Sequence, residues 1–112
     1  MDISESPLAE AGHRTICPDL PWGAHARPLN PGTDLSLAGM AKIVDDFLRE
    51  LGVTDAVIVA NDTGGAIAQW LVGHHAARVG ALVLTSCDAF EKFPPTPQRY
   101  LLVAGRSRVL MW

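Results

Sequence analysis

The sequence carries no strong charge of either sign and no long hydrophobic run. Nine basic and twelve acidic residues give a formal net charge of −3, so neither a nucleic-acid-binding surface nor an acidic tail is expected. The longest uninterrupted aliphatic run, residues 56–60, is far too short to cross a bilayer. The N-terminus has acidic residues and no apolar run, which is not the pattern of a signal peptide.

Cysteine is also scarce. Cys17 and Cys87 are the only two, and they lie far apart in sequence, each within or beside an apolar segment. We therefore expect both to be reduced and buried, as in a cytoplasmic protein. The sequence leaves the oligomeric state open.

What the sequence does contain is enough apolar residues for one small core. Hydrophobic residues make up 48% of the 112, an ordinary level for a globular domain. The elements predicted from periodicity and breakers are the end of a helix at 7–12, a strand at 15–17, a loop at 21–33, a helix at 34–51, a strand at 56–60, a helix from 64 to 75 and a strand at 81–85.

These elements alternate, which is typical of an α/β fold with a parallel sheet, here of three strands flanked by helices. Thr33 or Asp34 is expected to cap the helix at 34–51, and Gly52 to end it. The continuous apolar run at 56–60 favours a strand buried on both faces.

The segment with the clearest chemical content is Ala60-Asn61-Asp62-Thr63-Gly64-Gly65. It joins a predicted strand to a predicted helix through a very tight turn, in the pattern small–x–acid–x–Gly. A central residue on such a turn is lifted off the end of the sheet, and small residues on either side avoid clashes. The alternative is a purely structural role, in which Asp62 only caps the following helix, as Asp commonly does.

This segment resembles the nucleophile elbow of the α/β-hydrolases that use an aspartate nucleophile, namely haloalkane dehalogenases and epoxide hydrolases. Segments 12–21, 76–84 and 88–95 are similar to that family's fourth strand, its sixth strand with the preceding helix end, and the lead into its cap domain. The resemblance covers about residues 7–97. It implies a partial α/β-hydrolase core at residues 1–90 and the start of a cap, or a truncated tail, at 91–112.

The resemblance also implies a reaction on a small-molecule substrate without a cofactor or metal. Asp62 would attack a haloalkane or an epoxide and form an alkyl-enzyme ester, and the backbone N–H of Thr63 would serve as one oxyanion-hole donor. Haloalkane dehalogenases usually have a Trp at the position of Thr63, so the substrate class stays open.

The family's catalytic His is expected late in the chain, and none of the four histidines (His13, His25, His74 and His75) stands there. The oxyanion motif that follows the family's third strand has no counterpart either. We therefore expect the sequence to begin after that strand and to end within the cap. Two alternatives to a hydrolase remain, an inactive remnant and a small-anion binding module.

Overall fold

A computed structural model describes residues 7–22 and 25–87 of the chain. The chain divides into two compact units, residues 1–33 and 34–112. The elements are α1 (Pro7–Glu10), α2 (Leu37–Glu50), β1 (Ala56–Asp62), α3 (Thr63–His74), a 3₁₀ helix (Ala76–Arg78) and β2 (Val79–Cys87). The predicted domain boundary at residue 90 and the cap or tail region at 91–112 lie outside the described residues.

The first unit contains the predicted helix end but not the predicted strand. α1 ends at Glu10, and Gly12 follows it with a positive φ of 88°, which lets the His13 N–H donate back to the carbonyl of Leu8. Residues 13–20 form neither helix nor strand, and Ile16 is exposed. The prediction of a strand at 15–17 was therefore wrong. Its β-prone run is only three residues long before a proline, and a strand exists only where a neighbouring strand satisfies its backbone.

The sheet of the second unit is parallel, as predicted, but it has two strands among the described residues rather than three. β1 pairs with β2 from Ala56, opposite Val79, to Asp62, opposite Cys87. Both strands extend past the predicted apolar runs at their carboxyl ends. Because these ends meet at one edge of a parallel sheet, the residues there lie close together.

The helix before β1 is shorter than predicted, since Ser36 caps it rather than Thr33 or Asp34. The backbone of Ser36 is extended, and its side chain accepts a hydrogen bond of 3.1 Å from the Gly39 N–H. Asp34 instead accepts from the Ser36 N–H at 2.9 Å. That hydrogen bond, which the ionised carboxylate accepts, lowers the pKa of Asp34. Gly52 ends the helix as expected, with a φ of 67°.

Replacing Ser36 with alanine should lower the free energy of unfolding by about 1 kcal/mol, because the Gly39 N–H loses its acceptor. Ser36→Thr keeps the hydroxyl and should retain most of that stability. Urea unfolding of the three proteins measures the difference. An unchanged midpoint in Ser36→Ala would show that the hydroxyl contributes nothing to the cap.

α3 forms the centre of the core in the second unit. It contacts both strands and α2, and Ile67 and Leu71 are its largest fully buried side chains. Burying each of these side chains contributes on the order of 2 kcal/mol. None of the helices in the described part of the chain is long and apolar enough to cross a membrane.

Only one face of β1 is buried, contrary to the expectation of burial on both. Val57 and Val59 are 63% and 66% exposed, and Val83 beside them on β2 is 45% exposed. The continuous apolar run predicted two covered faces, but α3 packs on one.

The cysteines are free, as expected, but Cys17 is exposed and Cys87 half-buried, so the expectation that both are buried was wrong.

Candidate active site

The junction between β1 and α3 contains no loop. Asp62 is the last residue of the strand and Thr63 the first of the helix. The chain makes this turn with Asp62 at φ 49° and ψ −130°. A residue with a Cβ in such a conformation carries about 1–3 kcal/mol of strain, which is tolerated where the surroundings enforce it and is frequent at functional sites.

Asp62 does not act as a helix cap, although it stands at the cap position of α3. Its side chain is exposed and makes no capping hydrogen bond, and its ψ differs from the extended conformation of a capping residue. The first turn of α3 contains no acidic residue. The first N–H groups of a helix lack partners within the helix and favour negative charge nearby. The carboxylate of Asp62 thus lies beside the positive end of α3 without making a hydrogen bond that caps the helix.

The two glycines after the turn have different surroundings. A Cβ added to Gly65 would overlap the Cβ of Cys87 and lie 2.8 Å from its Sγ. A Cβ added to Gly64 would meet nothing within 4 Å among the described residues outside its own helix. Gly65 therefore sets the close approach of α3 to the sheet. The strand it approaches is β2, the one that follows α3.

β2 has its own irregularity at the same edge. Asn61 pairs with Thr85 and Asp62 with Cys87, so Ser86 is an extra residue between two pairs. Ser86 has a positive φ of 42°, and this bulge brings Cys87 opposite Asp62. Two non-glycine residues with positive φ thus stand on neighbouring strands at the candidate site, where bulges often redirect side chains.

The histidines of the second unit lie at the other end of α3. His74 stacks on Trp70, with ring centroids 4.4 Å apart, and its Nδ1 is 3.0 Å from the Trp70 carbonyl oxygen. The Nδ1 of His75 is 4.0 Å from a carboxylate oxygen of Asp45 on α2. Because α3 has 12 residues, its two ends are separated by about 16–18 Å. Neither histidine is placed to assist Asp62.

The two other histidines, His13 and His25, belong to a different unit from the one that contains Asp62. Within residues 7–22 and 25–87, no group of three or more His, Cys, Asp or Glu side chains is arranged to hold a metal ion.

The fold and the site define a class of α/β protein with a parallel sheet. In this class a strand runs directly into a helix, and the residue at the turn is a strained, exposed acid. The family model described as alpha/beta hydrolase fold matches residues 5–105. Since this match spans most of the chain, the protein belongs to the alpha/beta hydrolase fold family. No solved structure matches the chain.

Sequence reasoning missed the contacts that β2 makes with the turn. Asn61 donates hydrogen bonds to Thr85, and Cys87 packs against Gly65. The polar run Thr85-Ser86-Cys87 at the end of an apolar strand was the available signal, because it marks residues at the same edge of the sheet as Asp62.

Proposed function

We propose that the protein is a hydrolase in which Asp62 is the nucleophile and an alkyl-enzyme ester is the intermediate. The observation that carries the proposal is that Asp62 occupies a strained conformation while its exposed carboxylate serves no capping role. A strained residue whose side chain makes no capping hydrogen bond is typical of a functional site. Membership of the alpha/beta hydrolase fold family supports a hydrolase-type reaction at this turn.

The substrate we propose is a haloalkane or an epoxide. With a haloalkane, a carboxylate oxygen of Asp62 forms a bond to carbon, and the halide leaves with the electron pair of the carbon–halogen bond. With an epoxide, the same attack opens the ring, and the released alkoxide takes a proton from water. Water then cleaves the ester and restores the carboxylate.

Thr63 is the proposed oxyanion donor during cleavage of the ester. Its N–H is the first of α3, and an N–H at this position has no partner within the helix. The negative charge that develops on the ester oxygen would be stabilised by this donor and by the positive end of the helix. This role requires no particular side chain at position 63.

The first test is mass spectrometry of the 112-residue chain after incubation with a primary alkyl bromide and, separately, a terminal epoxide. We expect one added group per chain, mapping to Asp62 and released by hydroxylamine. Release by hydroxylamine marks an ester and distinguishes it from the stable thioethers that Cys17 and Cys87 would form. We expect the ester to accumulate, because His74 and His75 are too far along α3 to activate water.

The matched controls are Asp62→Asn, which keeps the shape but not the nucleophile, and Asp55→Asn, which changes an exposed aspartate just before the opposite end of β1. The hydroxylamine-sensitive adduct should disappear in the first and persist in the second. An adduct that survives Asp62→Asn, or the absence of any such adduct in the unmodified chain, contradicts the proposal.

The second candidate function is a small-anion binding module. It is favoured by the N-terminus of α3, whose first turn carries no acidic residue to occupy its N–H groups. Halide or phosphate binding detected by calorimetry, in a protein that forms no adduct with either reagent, would favour this function over hydrolysis.

A further inference from the structure

We propose that Asn61 and Thr85 are positioning residues that hold Asp62 in the conformation required for attack. We call this pair of side chains and their hydrogen bonds the Asn61–Thr85 clamp. The inference rests on the proposed function for its chemical consequence, whereas its structural content can be tested without any reaction. Neither side chain is assigned a contact with substrate.

The clamp consists of three hydrogen bonds at the end of the sheet. Nδ2 of Asn61 donates to the backbone oxygen of Thr85 at 3.0 Å and to its Oγ1 at 3.2 Å. Oγ1 of Thr85 in turn donates to the carbonyl oxygen of Ala60 at 3.3 Å. The hydroxyl of Thr85 therefore accepts a hydrogen bond from Asn61 and donates one to Ala60, the residue before it.

The clamp lies where the regular backbone ladder is interrupted. The register of β1 and β2 shifts between Asn61 and Asp62, with Ser86 as the extra residue. At such a bulge the extra residue is left unpaired and the ladder is locally disrupted, before pairing resumes between Asp62 and Cys87. Side-chain hydrogen bonds from Asn61 provide the connection that the ladder lacks at this point.

A strained residue persists only where both of its flanks are held. On the carboxyl side of Asp62, the buried Ile67 and the tight contact of Gly65 with Cys87 anchor α3. On the amino side, the last residue before Asp62 is exposed Asn61, and its side-chain bonds are those of the clamp. Loss of the clamp would let the turn relax and move the carboxylate away from its working position.

The central variant is Thr85→Val, which keeps the shape of the side chain and removes the hydroxyl. Thr85→Ser restores the hydroxyl, and Asn61→Ala removes the donor from the other side. Thr54→Val, an exposed threonine before β1, is the matched control for the same substitution elsewhere. Two measurements apply to each protein, the rate of ester formation at Asp62 with the alkyl bromide and amide hydrogen exchange at residues 61–64.

We expect Thr85→Val and Asn61→Ala to lower the saturating rate of ester formation by about 10–100-fold, the range expected when a reacting group is misplaced. The half-saturating concentration of alkyl bromide should change little, because substrate contacts are untouched. Thr85→Ser and Thr54→Val should behave as the unmodified chain. The double variant should lose less than the product of the single losses, since both residues act through one network.

Exchange at residues 61–64 should rise in Thr85→Val while exchange within the core of α3 stays unchanged. This measurement separates the two proposals. If the unmodified chain forms no ester, the proposed function fails, and the clamp stands or falls on hydrogen exchange alone. Unchanged exchange in Thr85→Val, or a loss of rate that Thr85→Ser does not restore, overturns the inference.

Discussion

Replacing Gly65 with alanine is expected to destabilise the protein by about 3 kcal/mol, the upper part of the range for overpacking. The same replacement at neighbouring Gly64 is expected to stabilise it by about 0.5–1 kcal/mol. The added methyl at Gly65 would overlap the Cβ of Cys87, whereas at Gly64 it meets nothing within 4 Å among the described residues outside its own helix. A Cβ cannot rotate away, so α3 or β2 must shift.

Equilibrium unfolding in urea, followed by circular dichroism, measures both changes. The effect can be assigned to its partner by a second substitution in the Gly65→Ala background. Cys87→Gly removes the overlapping Cβ and should recover much of the lost stability, while Cys87→Ala keeps that atom and should not. Equal effects of alanine at positions 64 and 65 would mean that Gly65 is not the point of close approach.

This contact also shows where local sequence patterns stop being informative. Two consecutive glycines at the start of a helix predict a tight turn and close packing, but they do not say which glycine is needed or against what. The partner of Gly65 is Cys87, on the strand that follows α3 in the chain. The pairing between β1 and β2 is therefore needed to say which of the two glycines makes the close contact.

The same distinction separates the elements that could be predicted from those that could not. The spacing of apolar residues in α2 is a local property, and it was sufficient for the helix and for the face that carries Met40 and Leu48 into the core. A strand at 15–17 depends on a neighbour that pairs with it, which propensity does not supply. The exposure of Val57 and Val59 likewise depends on what covers the sheet, so a continuous apolar run overstated their burial.

For the candidate site, the turn at Asp62 was predictable because its geometry is encoded in consecutive residues. Its support was not, because Asn61 and Thr85 are separated by 24 positions. They meet through a register that includes the extra residue Ser86. The motif thus indicated where the turn lies, while the hydrogen bonds around it depend on the pairing of the two strands.

Replacing Asp62 with glycine should make the protein more stable by about 1 kcal/mol, even though it removes the proposed nucleophile. Glycine adopts a positive φ without the clash of a Cβ, and the relief of strain exceeds the added entropy of the unfolded chain. Asp62→Ala keeps the Cβ and should be no more stable than the aspartate. Asp62→Asn keeps shape and strain and should differ little in stability, and all three variants should lose the hydroxylamine-sensitive adduct.

The order of stabilities distinguishes two roles for Asp62 without reference to any substrate. If its side chain capped α3, alanine would cost about 1 kcal/mol, and glycine would leave the protein slightly less stable than aspartate. If the backbone strain at φ 49° dominates, glycine is the most stable residue at this position. Urea unfolding of the four proteins gives that order directly. Glycine as the most stable residue at position 62 would show that the fold does not require the carboxylate, which is the result expected if Asp62 is the nucleophile we propose.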